Sequence, residues 1–233
     1  CTFLNYCSDH SFYIKKITKG IRLGREEGTR EPFLLKDIKL IFKSIDLLRL
    51  TPKGKKTKHY DVLELIIKIG LYTGARENEI LQLTKNDIVE DEQSGIWCFY
   101  FNKKKNKKIK NISSIRKVPI HSKIEKEVLE LIKKLENNEK LFKISFSTFS
   151  KDFSIFKTKL GFDETKVFHS FRNTLQEELK QKMVEFVMID ELVGHQVKQN
   201  KQSNAYTRSY SLENKKKEIE LLLLLLFPQF TKL

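Results

Sequence analysis

Four short segments of this 233-residue chain carry side chains suited to chemistry at a phosphate. The first is Thr73-Gly74-Ala75-Arg76-Glu77-Asn78-Glu79-Ile80, where Gly74 can turn the chain and set Arg76 at the start of a helix. A guanidinium there presents two forked donors that match the non-bridging oxygens of a phosphate. Glu79 lies three residues on, the right spacing to brace that arginine or to cap the helix. The second segment is His169-Ser170-Phe171-Arg172. A separation of three on a helix puts both side chains on one face, about one turn apart. An imidazole beside a second guanidinium can handle a proton where charge develops on a phosphate.

The third segment is Leu192-Val193-Gly194-His195, in which Gly194 ends a helix and presents His195. The fourth, Ala205-Tyr206-Thr207-Arg208-Ser209-Tyr210-Ser211-Leu212, offers two phenols. A phenol with its ordinary pKa near ~10 is a poor nucleophile. Arginines and histidines around a phosphate would help it attack by stabilising the developing charge. Taken singly, each segment also reads as plain structure: an exposed arginine after a turn, a surface histidine beside an arginine, a tyrosine packed on a core. Together they supply what phosphodiester transesterification without a metal requires.

The elements that must position these residues are mostly helical. Asp37 to Leu48 carries an apolar stripe at Ile38, Leu40, Ile41, Ile45 and Leu48. Asp61 to Leu71 is strongly apolar and stops at Gly74 by a left-handed exit, and Glu77 to Leu83 reads as a short helix. Ile96 to Phe101 and Ile115 to Ile120 form a β-hairpin, with lysines at 103, 104, 105, 107, 108 and 110 between them. Helices resume at Ile124–Leu135, Phe149–Leu160, Phe168–Lys180 and Val184–Leu192, and from about Gln202 to the end. The expected class is mainly α with a small antiparallel β-sheet, an α+β fold. Residues 1–30, broken by Gly20, Gly24 and Gly28, read as a linker or the remnant of an N-terminal domain, which the family resemblance given below would make a DNA-binding one, and 31–233 as one domain with a C-terminal tail helix.

Composition narrows the partners. The formal charge is +15, with 45 Lys and Arg against 30 Asp and Glu, which favours a polyanion. An AT-rich coding bias toward lysine would give a similar total, so the position of the charges decides more than their sum. The longest apolar run, Leu221 to Phe227, is too short to span a bilayer, and no charged-then-apolar leader opens the chain. Cys1, Cys7 and Cys98 make an odd, scattered set that fits a reducing cytoplasm. Cys7 and His10 have metal-like spacing without a second ligand pair, so no metal is expected. No G-x-x-x-x-G-K-[ST] loop is present, and no cofactor or small-molecule substrate is expected.

Read in order, the segments give Arg, Lys in a hairpin, His-x-x-Arg, Gly-His and Tyr. That order resembles the tyrosine recombinase family, also called the phage integrase family, which includes the Xer recombinases. The resemblance runs from about Glu31 to Leu225 and implies the catalytic-domain fold of that family. It implies a site-specific DNA recombinase or integrase acting through a 3′-phosphotyrosyl intermediate on double-stranded DNA, as a homo-oligomer in a tetrameric synapse. Arg76 and Arg172 would clamp the scissile phosphate, His169 would assist proton transfer, and His195 would donate to a phosphate oxygen. A hairpin lysine would protonate the leaving 5′ oxygen. Relatives place that lysine a short turn before a strand ending in Arg-x-Val-Pro. Here Lys110 precedes Arg116-Lys117-Val118-Pro119, with Lys108 the alternative.

Tyr206 would attack, and Tyr210 is the alternative. Tyr206 follows His195 by eleven residues. A continuous helix would separate them by about 16 Å, so the polar segment Gln196 to Asn204 must fold back. The apolar tail would dock on a neighbouring copy or close its own core. A type IB-like topoisomerase uses the same chemistry, and a non-catalytic basic DNA-binding protein, a decayed integrase, is the rival of another class.

Overall fold

A computed structural model describes residues 30–49, 60–104, 107, 111–196 and 209–221. Helix α1 (Leu35–Arg49) buries Ile38, Ile41 and Ile45, residues spaced to share one helix face. Leu40, expected in the same stripe, lies off that face and is 41% exposed. Helix α2 (Tyr60–Thr73) buries Leu63, Leu65, Ile66, Ile67, Ile69 and Leu71. A helix apolar on most sides must be surrounded. It packs against α1, α3 (Glu77–Leu81), α4 (Ser122–Lys133) and α6 (Ser170–Gln181).

The expected hairpin is present as β2 (Trp97–Phe101) and β3 (Arg116–Pro119), paired antiparallel with Phe99 opposite Val118 and Phe101 opposite Arg116. A third strand, β1 (Ile88–Glu90), pairs antiparallel with β2 on its other side. Three residues are too short for a period-two pattern to be read, so β1 escaped the sequence. Its direction comes from the turns that flank it. Asp87 Oδ2 accepts from Thr84 N and Oγ1 at 2.7 Å before the strand, and Asp91 N donates to Ile96 O at 3.0 Å after it.

Helix α5 (Phe146–Lys159) begins three residues before the expected Phe149, because Ser145 Oγ accepts from Thr148 N and caps the first turn. Its Phe153 meets Phe168 edge-on at 5.4 Å, and Phe168 meets Phe171 at the same separation. These rings seat the start of α6 and with it His169 and Arg172. Helix α7 (Phe186–Val193) follows.

The C-terminal helix differs from its expected span. Helix α8 covers Leu212–Leu221, and residues 209–211 precede it without helical structure. Residues 202–208, and most of the apolar tail beyond Leu221, lie outside the described residues. Within α8, Ile219 is buried, Lys216 Nζ donates to Ile120 O, and Glu220 accepts from Ser122 N and Oγ at 2.8 and 2.7 Å. This much of the C-terminal region closes the chain's own core. The architecture is mainly α with one small antiparallel sheet, as expected. Among the described residues no helix is long and apolar enough to cross a membrane.

Candidate active site

Arg76 stands where α2 turns into α3. Gly74 has φ +58°, and a Cβ there would fall 2.9 Å from Leu175 Cδ2 and from Val193 Cγ1. Both the left-handed turn and the close packing therefore require glycine. Thr73 Oγ1 accepts from Ala75 N and donates to Ile69 O, which fixes the corner. Glu79 then does both things its spacing allowed. Its Oε2 accepts from Arg76 N at 3.0 Å, and its Oε1 accepts from Arg76 Nη1 at 2.6 Å.

A second guanidinium reaches the same carboxylate. Arg116 Nη2 donates to Glu79 Oε2 at 3.1 Å, its Nε to Leu192 O at 2.8 Å and its Nη1 to Ser114 O at 2.9 Å. Burial would raise the Glu79 pKa, but Arg116 and Arg76 outweigh it and hold the carboxyl below its usual range. In the sequence Arg116 marks only the register of the strand that follows the lysines. It stands opposite Phe101 in the sheet, with its guanidinium carbon 4.4 Å over that ring.

Arg172 is 1% exposed. Its Nη1 donates to Gly74 O at 2.8 Å, so α6 is tied to the turn that carries Arg76. Its Nε and Nη2 are buried without a hydrogen-bond partner among the described residues. Burial first, then the charges of Arg76 and Arg116, pull its pKa down to about 9. A buried cation with two unmet donors beside further cations is costly until an anion arrives.

His169 is the N-cap residue of α6, so the His-x-x-Arg pair opens that helix. Burial, followed by Arg172, Arg30, Arg76 and His195, lowers its pKa to about 4, which leaves the imidazole neutral at pH 7. His195 follows Gly194, which caps α7 at φ +73° as the spacing predicts. Its pKa is also lowered, by burial and Arg172 against the opposing Asp190. Its Nδ1 lies 3.3 Å from Gln176 Nε2 and 3.4 Å from Asp190 Oδ1. These neighbours favour opposite tautomers; donation from Gln176 leaves the ring proton on Nε2. The structure thus brings Arg76, Arg172, His169 and His195 within one another's electrostatic reach.

A family model described as the phage integrase family matches residues 45–213, well over half of the chain. The chain belongs to the phage integrase family. Similar folds occur in the XerH site-specific recombinase in a post-cleavage complex with a palindromic difH substrate, at 20% identity and a TM-score of 0.54. That match covers 84% of this chain and 51% of XerH, so the chain spans about half of that protein's length. The integrase of mycobacterium phage Brujita matches at 15% identity and a TM-score of 0.52, covering 95% of this chain and 68% of its own. The Tn1549 transposon integrase, in complex with circular intermediate DNA, matches at 17% identity and 0.52, over 83% and 67%. No curated protein matches by sequence.

In this integrase-family chain the matched segment takes in Arg76, Lys110, His169, Arg172, His195 and Tyr206. Lys110, Lys108 and Tyr206 lie outside the described residues, as do Cys7 and His10. Lys107 is described, and its Nζ is paired with the buried Asp87. Tyr210 precedes α8 and lies outside helical structure. Its hydroxyl donates to the Glu185 carboxylate, which raises its pKa from the ordinary phenol value.

Proposed function

We propose that this chain cleaves and rejoins double-stranded DNA at a specific site, with Tyr206 as nucleophile. Arg76 and Arg172 grip the non-bridging oxygens of the scissile phosphate, and His195 donates to one of them. The Tyr206 oxygen bonds to phosphorus as the bond from phosphorus to the 5′ oxygen breaks. The phenolic proton leaves with the help of His169, which is neutral and can accept it. Lys110 gives a proton to the departing 5′ oxygen. A 5′-hydroxyl from a partner strand then attacks the 3′-phosphotyrosyl bond and releases the tyrosine. The phosphodiester energy is conserved in that bond, so the scheme calls for neither a metal nor a nucleotide.

The observation that carries this reading is Arg172, whose Nε and Nη2 are buried and without a partner among the described residues while its Nη1 is tied to the Arg76 turn. Two converging donors on a cation match a phosphate better than any neutral ligand. The tied hydroxyl of Tyr210 supports Tyr206 as the attacking group. The palindromic substrate in the XerH complex fits symmetric copies on DNA, and we extend that to a tetrameric synapse of this chain in the cytoplasm.

A pool of nicked suicide duplexes tests the reading, because the cleaved fragment diffuses away and traps the covalent adduct. Wild type should capture DNA covalently. Arg76→Lys and Arg172→Lys keep charge but lose the planar fork, so adduct formation should fall by about 100-fold or more, with DNA binding retained. Wild-type cleavage by both variants would refute the clamp.

A further inference from the structure

Arg116 is 8% exposed and is held by three hydrogen bonds that lead to different parts of the site. Through Glu79 Oε2 it reaches Arg76, since the same carboxylate oxygen accepts from the Arg76 backbone. Through Leu192 O it holds the last turn of α7, two residues before Gly194. Through Ser114 O it fixes a short 3-10 turn (Ile112–Ser114), whose Ser114 Oγ accepts from Arg76 Nη1 at 3.1 Å. Gly194 packs directly on this side chain, because a Cβ at 194 would lie 2.9 Å from Arg116 Nη1.

We propose that Arg116 is a positioning residue that couples the turn bearing Arg76 to the turn bearing His195. This inference rests on the functional reading above. Three features argue for it over a plain core role. A methionine would fill the same volume beneath Phe101 without burying a charge, so the charge has a purpose beyond packing. Each of its three NH-bearing nitrogens is spent on a different acceptor, so rotating the side chain to satisfy one would lose the others. The acceptors also belong to three separate segments, each adjoining a residue assigned to the phosphate. Arg116 is buried and its three nitrogens are already tied to protein acceptors, so it acts through Arg76 and His195.

The test uses the duplex site recovered in the wild-type adduct, with the scissile phosphate either ordinary or replaced by a methylphosphonate. The methyl group removes one charged oxygen and with it part of the demand for Arg76 and His195. On the ordinary substrate, Arg116→Met should slow single-turnover cleavage by about 10- to 100-fold. On the methylphosphonate the penalty should shrink to within about 3-fold of wild type. Arg116→Lys, which keeps the charge and loses the fork, should show the same pattern with a smaller loss, and serves if Arg116→Met does not fold. An equal penalty on both substrates, or none on either, overturns the proposal. Arg76→Ala is the control for the underlying reading. If the Arg76→Ala penalty shrinks on the methylphosphonate while that of Arg116→Met does not, the coupling fails and the clamp stands; if the Arg76→Ala penalty persists undiminished, the clamp fails and the coupling with it.

Discussion

Among the described lysines between β2 and β3, Lys107 should be structural and Lys103 and Lys104 solvent-facing, and Asp87→Asn exposes the division. Asp87 is 4% exposed and accepts from Thr84 N, Thr84 Oγ1, Asn102 Nδ2 and Lys107 Nζ. Burial would raise its pKa, but the bonds from Lys107, Thr84 and Asn102 prevail and keep it a carboxylate below its usual range. Removing one partner of a buried pair costs about 3–5 kcal/mol. The amide introduced by Asp87→Asn would still accept from Thr84 on its one oxygen, so a loss of roughly 2–4 kcal/mol is expected in urea unfolding. Lys107→Gln should cost a similar amount, and the double variant should fall short of the sum by about 1–3 kcal/mol. The DNA side gives the contrast. Lys103 and Lys104 are exposed, and neutralising both should flatten the slope of log K against log salt by about 1.8. Lys107→Gln should leave that slope unchanged. Additive stabilities within about 0.5 kcal/mol, or a slope change at Lys107 equal to that at Lys103, would refute this division.

Acid should destabilise the DNA-free protein through two histidines. His169 and His121 are each lowered to about 4 by burial first, so the unfolded chain binds more protons than the folded one between that pH and about 6.5. Stability is therefore full above about pH 6.5 and declines as pH falls toward 4; a flat melting temperature across that window contradicts the burial. Gly194→Ala places a side chain at φ +73° against Arg116, so it should cost about 1–2 kcal/mol or more and slow cleavage. Melting and single-turnover cleavage check it, and a neutral result would mean that the turn is not held by that contact. Tyr210→Phe should retain adduct formation, since its hydroxyl is engaged by Glu185; loss of the adduct would return Tyr210 to the role of nucleophile.

The long helices were legible because their stripes are periodic: Ile38, Ile41 and Ile45 mark one face, and the apolar run through α2 marks burial all round. Gly74 and Gly194 were legible for a different reason, as left-handed helix exits that only glycine takes easily. The Arg76–Glu79 contact followed from a local spacing of three. Arg116 was not legible as part of the site, because its partners Glu79 and Leu192 are far away in sequence and only the sheet register brings them together. Asp87 and Lys107 were missed on the same ground. The end of the chain misled in another way: residues 209–211 are polar, and Glu191 binds Ser209 Oγ and Tyr210 N, which holds them out of the helix that follows.

Peptide mapping of the trapped adduct decides whether Tyr206 is the group that attacks the phosphate. Wild-type protein would be reacted with the nicked duplex, digested by nuclease and protease, and the modified peptide sequenced by mass spectrometry. A nucleotide linked through its 3′-phosphate to the Tyr206 oxygen is expected, and no adduct from Tyr206→Phe, which removes only the hydroxyl. The modification on Tyr210, or an undiminished adduct from Tyr206→Phe, would contradict it.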